Sequence, residues 1–303
     1  MTRRAPLPAY LAGAAFRVRD DEFHGASAGR LRAADVQRPF RGVRSHGLDL
    51  TDLVDRCRAY EPLLRPGEAF SHATAAALLG LPVADEAHEI HVTASAGLQR
   101  ARTKGVVGHD SSGWLPIVSC MGLPVVAPTH TWCQLGALLE QRDLVAVGDA
   151  IVTGPRRGVD RAPGLATVAE LGDAVSEWGS RRGARALSAA LPLVRIGAES
   201  RPETHTRLLL IDDGLPEPLP NHPTPMVDGR VLHPDLKYLE WRIVLEYLGD
   251  RHRRDRRRWQ EDVRRRREFE TAGWRVVDVT ADDVFVDSSS LIARVRALLA
   301  GQR

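Results

Sequence analysis

The chain has 303 residues, 43% of them apolar and 27% charged, with a formal net charge of +3. That length exceeds one ordinary domain, and that composition excludes a disordered or fibrous chain. No apolar run nears the ~20 residues of a membrane span. Cys57, Cys120 and Cys133 form neither a C-x-x-C pair nor a disulfide framework, which points to a reducing compartment. The N-terminus, Met-Thr-Arg-Arg, is followed by no long apolar stretch of a signal peptide. A cytoplasmic protein with no membrane partner is expected.

Residues 1–49 are short and basic. Phe16 to His24 reads as a helix, followed by Gly25-Ala26-Ser27 and then Arg30-Leu31-Arg32. Glycine eases a tight turn, Ser27 caps a second helix, and Arg30 and Arg32 project from it, which is the pattern of a helix-turn-helix. Arg38 to Arg44 reads as a small basic wing. The segment predicts a winged helix-turn-helix that meets DNA through Arg30, Arg32 and Arg41; the plain alternative is a structural helical hairpin.

Residues 50–164 alternate helices and strands. Helices are expected over Leu53 to Tyr60, Ser71 to Gly80, Thr129 to Leu139 and Asp143 to Val152, and strands over Ile90 to Thr93, Gly105 to His109 and Leu123 to Val126. His72, His91 and His109 stand far apart with no acidic or cysteine partner at ligand spacing, so they read as ordinary hydrogen-bonded histidines. Residues 165–199, rich in alanine and arginine, read as a helical linker.

The last module covers residues 200–303. Ser200-Arg201-Pro202-Glu203 is an S-x-x-E capping box opening a helix that stops at Gly214. A proline-rich connector leads to a strand pair around Asp228-Gly229. Strands follow over Val231 to Lys237 and Arg242 to Tyr247. Then come a polar helix ended by Gly273, a strand over Trp274 to Val279 and a helix over Leu291 to Leu299. The order α-β-β-β-α-β-α predicts a mixed sheet flanked by helices, and the whole chain an α/β (α+β) protein.

Two acids stand out there. Asp235 follows a proline within a strand, and Glu246 ends the apolar run Ile243-Val244-Leu245. Acids are depleted in strands and costly there unless paired or metal-bound. The two predict a shared divalent cation, Mg²⁺ or Mn²⁺; the bland reading pairs Glu246 with Arg242 or Arg275. His252 follows a glycine-containing turn and can pass a proton. Glu203 either only caps its helix or orients water. Residues 251–267 hold ten arginines against Asp255, Glu261 and Asp262. Such a run is a solvated face or a phosphate-binding surface, and Arg251, Arg253, Arg254 and Arg257 are the DNA-contact candidates.

This element order, with Glu246-Tyr247-x-Gly249-x-x-His252 and Gly273-Trp274-x-Val276-Val277, resembles the PD-(D/E)xK nuclease superfamily. More narrowly, it resembles the branch related to very-short-patch-repair (Vsr) endonucleases, over about the last third of the chain. The resemblance implies a restriction-endonuclease-like fold with Asp235 and Glu246 as metal ligands. Glu203 would take the place of the helix-borne acid, and His252 that of the proton relay. It departs at Leu248, which stands where the superfamily has lysine and the Vsr-like branch an acid near the glycine; Lys237 is a candidate stand-in. The first two thirds are similar to AbiEi-type antitoxin proteins, through Ser71-His72-x-Thr74-Ala75-Ala76 and Ile90-His91-Val92-Thr93. The expected function is metal-dependent DNA endonuclease of a repair or defence type. The alternative is a non-enzymatic, antitoxin-like DNA-binding regulator carrying a degenerate nuclease fold. Whether a toxin or other protein partner exists is not readable.

Overall fold

The computed structural model of the chain describes residues 7–19, 27, 29–83, 89–158, 160–249 and 256–301, and for 256–259 the backbone alone. The chain divides into two compact units, Met1–Leu135 and Gly136–Arg303. The four-part division expected from sequence is finer than this, and its boundary at 164 falls inside the second unit.

In the first unit β1 (Ala14–Arg17) pairs antiparallel with β2 (Val43–His46). Phe16 therefore lies in a strand, not in the helix expected to run to His24. In β2, Val43 and Ser45 are buried while Arg44 and His46 are not, a period-2 pattern. Phe16 buries its ring with Leu11 and Leu31. Arg30–Arg32 is a single 3₁₀ turn rather than a recognition helix. Its N-cap residue is Gly29 rather than Ser27, though the Ser27 hydroxyl oxygen accepts the Arg30 N–H at 3.2 Å. Residues 20–26, including the rest of the expected helix, lie outside the described residues.

Next come α1 (Leu53–Tyr60), β3 (Glu68–Phe70), α2 (His72–Leu78), β4 (Ile90–Ala94), β5 (Val106–Asp110), β6 (Ile117–Cys120), β7 (Leu123–Val126) and α3 (Pro128–Leu135). Asp52 caps α1 by accepting the Asp55 N–H at 2.9 Å. The sheet order is β5-β4-β3-β7-β6. The pairs β4–β5 and β3–β7 are parallel and the other two antiparallel. Ile90, Val92, Phe70, Leu123 and Val125 bury one face against Cys57, Tyr60, Ala75 and Leu78 of α1 and α2. A Cβ on Gly108 would meet the Ala101 carbonyl oxygen at 2.2 Å, so glycine alone admits that chain beside β5.

The second unit opens with α4 (Gln141–Val152), the short hairpin of β8 (Arg156–Arg157) and β9 (Asp160–Arg161), α5 (Val168–Trp178) and α6 (Ala184–Ala190). Thr167 and Glu170 make a full capping box on α5. Leu171, Ala174, Leu187 and Ala190 are buried, so the expected linker has a core of its own. Then follow α7 (Arg201–Asp212), β10 (Leu219–Pro220), β11 (Thr224–Pro225), β12 (Val231–Leu232), β13 (Leu236–Tyr238), β14 (Ile243–Leu248), α8 (Arg256–Thr271), β15 (Arg275–Thr280), α9 (Ala281–Phe285) and α10 (Ser289–Ala300). The pair β11–β12 is the hairpin expected around Asp228-Gly229.

The main sheet runs β10-β13-β14-β15, antiparallel except between β14 and β15. A parallel neighbour needs a crossover, and α8 supplies it. On one face Leu236, Tyr238, Ile243, Leu245, Val277 and Val279 pack on Leu209 and Leu210 of α7 and Leu291, Val295 and Leu299 of α10. On the other, Val244 packs with Phe269 of α8 and with Trp274. The first half of β14 thus buries both alternating sets of side chains, which explains its continuous apolar run. The mixed α+β class expected from sequence is what the chain adopts. Among the described residues no helix is long and apolar enough to cross a membrane.

Candidate functional site

Asp235 stands one residue before β13. In the β13–β14 register Leu236 lies opposite Leu245, and one further step places Asp235 opposite Glu246. Leu245 faces the α7/α10 core, so Glu246 faces the α8 side. The Tyr247 N–H donates to Asp235 Oδ2 at 2.7 Å, which fixes that carboxylate against the end of β14. Glu203 comes from the first turn of α7 and is only 6% exposed. The Ser200 hydroxyl donates to its Oε1 at 2.7 Å. Its Oε2 accepts the Glu199 N–H at 2.9 Å and the Asn221 side-chain amide at 2.7 Å. The capping box read in the sequence is thus shifted: the carboxylate reaches Glu199 rather than the Ser200 N–H.

The three acids disturb one another. Burial pushes all three above the ordinary carboxylate range. The charge of Asp235 adds to the rise at Glu203 and at Glu246. At Asp235 the Tyr247 N–H and Arg265 pull the other way. Arg265 of α8 is the nearby cation: its Nε and Nη2 grip Glu246 at 2.6 and 3.2 Å. It also donates to the His233 carbonyl and lies over the face of Phe269, 5.3 Å from the ring centroid.

A magnesium-type ion takes hard oxygen ligands, and carboxylates supply them. No hydrogen bond to Asp235 Oδ1 occurs among the described residues, whereas Glu246 accepts from Arg265 and from the Asp235 backbone N–H. Glu203, Asp235 and Glu246 do not bring one oxygen each within 4.8 Å of one another, so the pair that could hold such an ion is Asp235 and Glu246, with Arg265 sharing Glu246 and Glu203 outside its reach.

No family model matches the chain. Two relatives, uncharacterized proteins of Mycobacterium tuberculosis strains CDC 1551 / Oshkosh and H37Rv, are each 27% identical to it over 255 residues. The match covers 82% of this chain and 90% of each relative. It spans both units, so the joining of the two is shared with those proteins.

Several site residues stand elsewhere than expected. Lys237 does not take the place left by Leu248: it is 2% exposed and donates to the Pro223 carbonyl at 2.9 Å and to Thr224 Oγ1 at 3.1 Å. Arg242 and Arg275 are not the partners of Glu246. Arg242 bonds the Ala272 and Gly273 carbonyls, and Arg275 those of Trp241 and Leu298. Arg30 is bound to Asp35 by a two-pronged ion pair at 3.0 and 2.7 Å, so its fork is already occupied. Arg32 and Arg41 are exposed. His252, Arg251, Arg253 and Arg254 lie outside the described residues, as does the side chain of Arg257. In the described part of the arginine run, Arg264 pairs with Glu268, Arg265 with Glu246, and Arg266 with Glu270 and Asp278.

Sequence reasoning missed Arg265, which is one arginine in a run, and Asn221. Asn221 joins Glu203 to Arg156, its Oδ1 accepting from Arg156 Nη2 at 3.0 Å. An asparagine in a proline-rich connector was the legible signal, since asparagine tolerates the left-handed turn conformation that Asn221 adopts with φ 46°. The largest correction concerns His72, His91 and His109. Far apart in sequence, they converge. Among the described residues they are the only group of three potential metal-ligating side chains with ligand atoms all within 4.8 Å of one another.

Proposed function

We propose that the second unit is a metal-dependent DNA endonuclease site. One observation carries this reading: Asp235 stands opposite Glu246 in the strand register, and these two and Glu203 are buried carboxylates with raised proton affinities, Arg265 being bound to Glu246. Perturbed acids of one sign gathered by separate elements mark functional sites more often than structural ones. When bound, a divalent ion neutralises phosphate charge and lowers the pKa of water. Asp235 and Glu246 would hold it. Tyr247 N–H keeps the Asp235 carboxylate aimed, and Glu203, fixed by Ser200, Glu199 and Asn221, orients the water side. Arg265 has donors at hand for a phosphate once Glu246 turns to an ion. The element order of β13, β14, α8 and β15 behind α7 supports the restriction-endonuclease-like reading.

The test is cleavage of supercoiled plasmid and of linear and mismatched duplexes with Mg²⁺ or Mn²⁺. Nicking that disappears in Asp235→Asn supports the proposal. An enzyme preparation that cuts no form of DNA with any divalent ion sinks it.

A second reading, a metal-independent DNA-binding regulator, rests on a feature of the first unit. A depression of about 950 Å³ is lined by Arg38, Arg41, Arg44, Arg56 and Lys104 against the one acid Glu89. Such a basic concavity suits a polyanion. Gel shifts in EDTA, with Arg38→Ala/Arg41→Ala as the control, decide it: unchanged affinity in that variant removes the depression from DNA binding.

A further inference from the structure

His91 and His109 stand on the parallel neighbours β4 and β5. Thr93 lies opposite His109 in their register, so His109 is two residues along from His91 on the same face. His91 Nδ1 and His109 Nε2 are 3.0 Å apart. The His72 ring, from the start of α2, stacks on that of His109 with centroids 3.7 Å apart.

The arrangement is held from outside the rings. The His72 backbone has φ 51°, a left-handed conformation that a non-glycine residue adopts only under constraint. Its N–H donates to Gln134 Oε1 at 3.0 Å, and the Gln134 amide donates to Thr93 Oγ1 at 3.3 Å. One glutamine of α3 thereby ties α2 to β4. The Ser71 hydroxyl lies 3.0 Å from His72 Nδ1, and Thr74 Oγ1 accepts the His91 N–H at 2.9 Å. Three elements thus fix three rings that repel one another whenever they are protonated. Burial, with the neighbouring histidines, pushes His72 down to about 3 and His109 to about 4; burial also lowers His91. Neutral imidazole is the form that ligates metal.

We propose that His72, His91 and His109 form a binding site for a transition-metal dication of the zinc class, with one coordination position left to solvent. An all-imidazole set suits zinc, copper, nickel or cobalt and does not suit magnesium or calcium, which take oxygen. Zinc–nitrogen bonds of about 2.0–2.1 Å in tetrahedral array place ligand nitrogens about 3.3 Å apart. The His91–His109 pair is already near that separation, and entry of the ion exchanges one N–H···N bond for two metal bonds. The site belongs to the first unit and is independent of the nuclease reading. Its ligand class differs too, so the two cation sites are spectroscopically separable.

The experiment uses the full chain, stripped with EDTA, dialysed and titrated with Co²⁺ and then Zn²⁺. The expected result is a strong visible Co²⁺ band that saturates at one equivalent and is displaced by Zn²⁺. The band stays in Asp235→Asn and is lost in His91→Ala/His109→Ala, with a fall in Zn²⁺ affinity of more than about 100-fold. X-ray absorption on the wild-type zinc form needs no variant. It should show nitrogen neighbours at about 2.0–2.1 Å with imidazole scattering, and it decides the matter should the double variant fail to fold. The proposal is overturned by no binding, by an oxygen-only zinc shell, or by a Co²⁺ band that survives intact in a folded double variant. Each of those outcomes leaves the three rings as a neutral hydrogen-bonded stack.

Discussion

Helix α7 carries two polar clusters one turn apart, and they are built to opposite rules. Arg207, fully buried, donates to Asp149 Oδ2 at 3.1 Å, to Glu217 at 2.8 Å and to the Leu193 carbonyl at 2.8 Å. Asp149 also accepts from the Arg195 N–H at 2.7 Å and from Thr204 Oγ1 at 2.7 Å. Charges there are matched by counter-charge and hydrogen bonds. Four residues earlier, Glu203 faces Asp235 and, beyond it, Glu246, with Arg265 as the cation between them. Buried charge persists where it is paired. The first cluster pairs its charges, with Arg207 Nε alone left without a partner among its nitrogens, and holds α4 to α7. The second has three carboxyls to one bound guanidinium among the described residues, which burial pushes toward the protonated form, and on the proposed reading an ion would take the place of those protons.

The sharpest way to break this contrast is Asp235→Asn. The amide oxygen can still accept the Tyr247 N–H, so the fold should survive while the charge goes. Loss of a metal's stabilisation of the reacting phosphate is worth several kcal/mol, about 1,000-fold in rate. Retained Mg²⁺-dependent nicking in this variant would mean that the cluster is not the nuclease centre.

Arg207→Met tests the other cluster. Removing one partner of a buried pair leaves Asp149 without its counter-charge, held only by the Arg195 N–H and the Thr204 hydroxyl, at a cost of about 3–5 kcal/mol. Urea unfolding should show that loss without any change in metal binding. A loss under about 1 kcal/mol would show that water reaches Asp149 and that the two clusters differ less than their burial implies.

A third measurement compares stability with pH. The ion-free protein holds protons on Glu203, Asp235 and Glu246 that the unfolded chain, ionising near about 4, gives up. The folded state then binds more protons, so stability falls as pH climbs from about 4 through the raised folded values and returns on acidification. Mg²⁺ at 100 times its Kd should add about 2.7 kcal/mol at neutral pH and flatten that dependence. A melting temperature indifferent to Mg²⁺ at pH 7.5 would contradict this.

The sequence made much of the second unit legible and less of the first, for a physical reason. The first half of β14 is buried on both faces and β15 on one, and the helices α7 and α8 have clear stops at Gly214 and Gly273, whose φ values are 77° and 79°. Asp235 and Glu246 were visible because carboxylates are out of place in such strands. In the first unit the signals were short. Phe16 sits in a four-residue strand whose partner lies nearly thirty residues on, and no local period reports that pairing. The convergence of His72, His91 and His109 is likewise a product of parallel pairing between β4 and β5. Register, not spacing, brings those rings together, and register is not written in any one segment. Arg265 illustrates the same limit: ten arginines in one run look alike until a sheet places Glu246 beneath one of them.

The smallest expected effect separates two arginines that sequence treats as equals. Arg30 has its guanidinium on Asp35, whereas Arg41 is exposed on the rim of the basic depression. If DNA is held there, Arg41→Ala should lower the slope of log affinity against log salt by about 1, the share of one phosphate contact. Arg30→Ala should leave that slope unchanged and cost the fold about 1 kcal/mol or less, the worth of a surface ion pair. The reverse pattern would mean that Arg30 leaves Asp35 when DNA binds. A neutral result in both would move any DNA contact of this chain to the second unit, where α8 brings its arginines over the carboxylates.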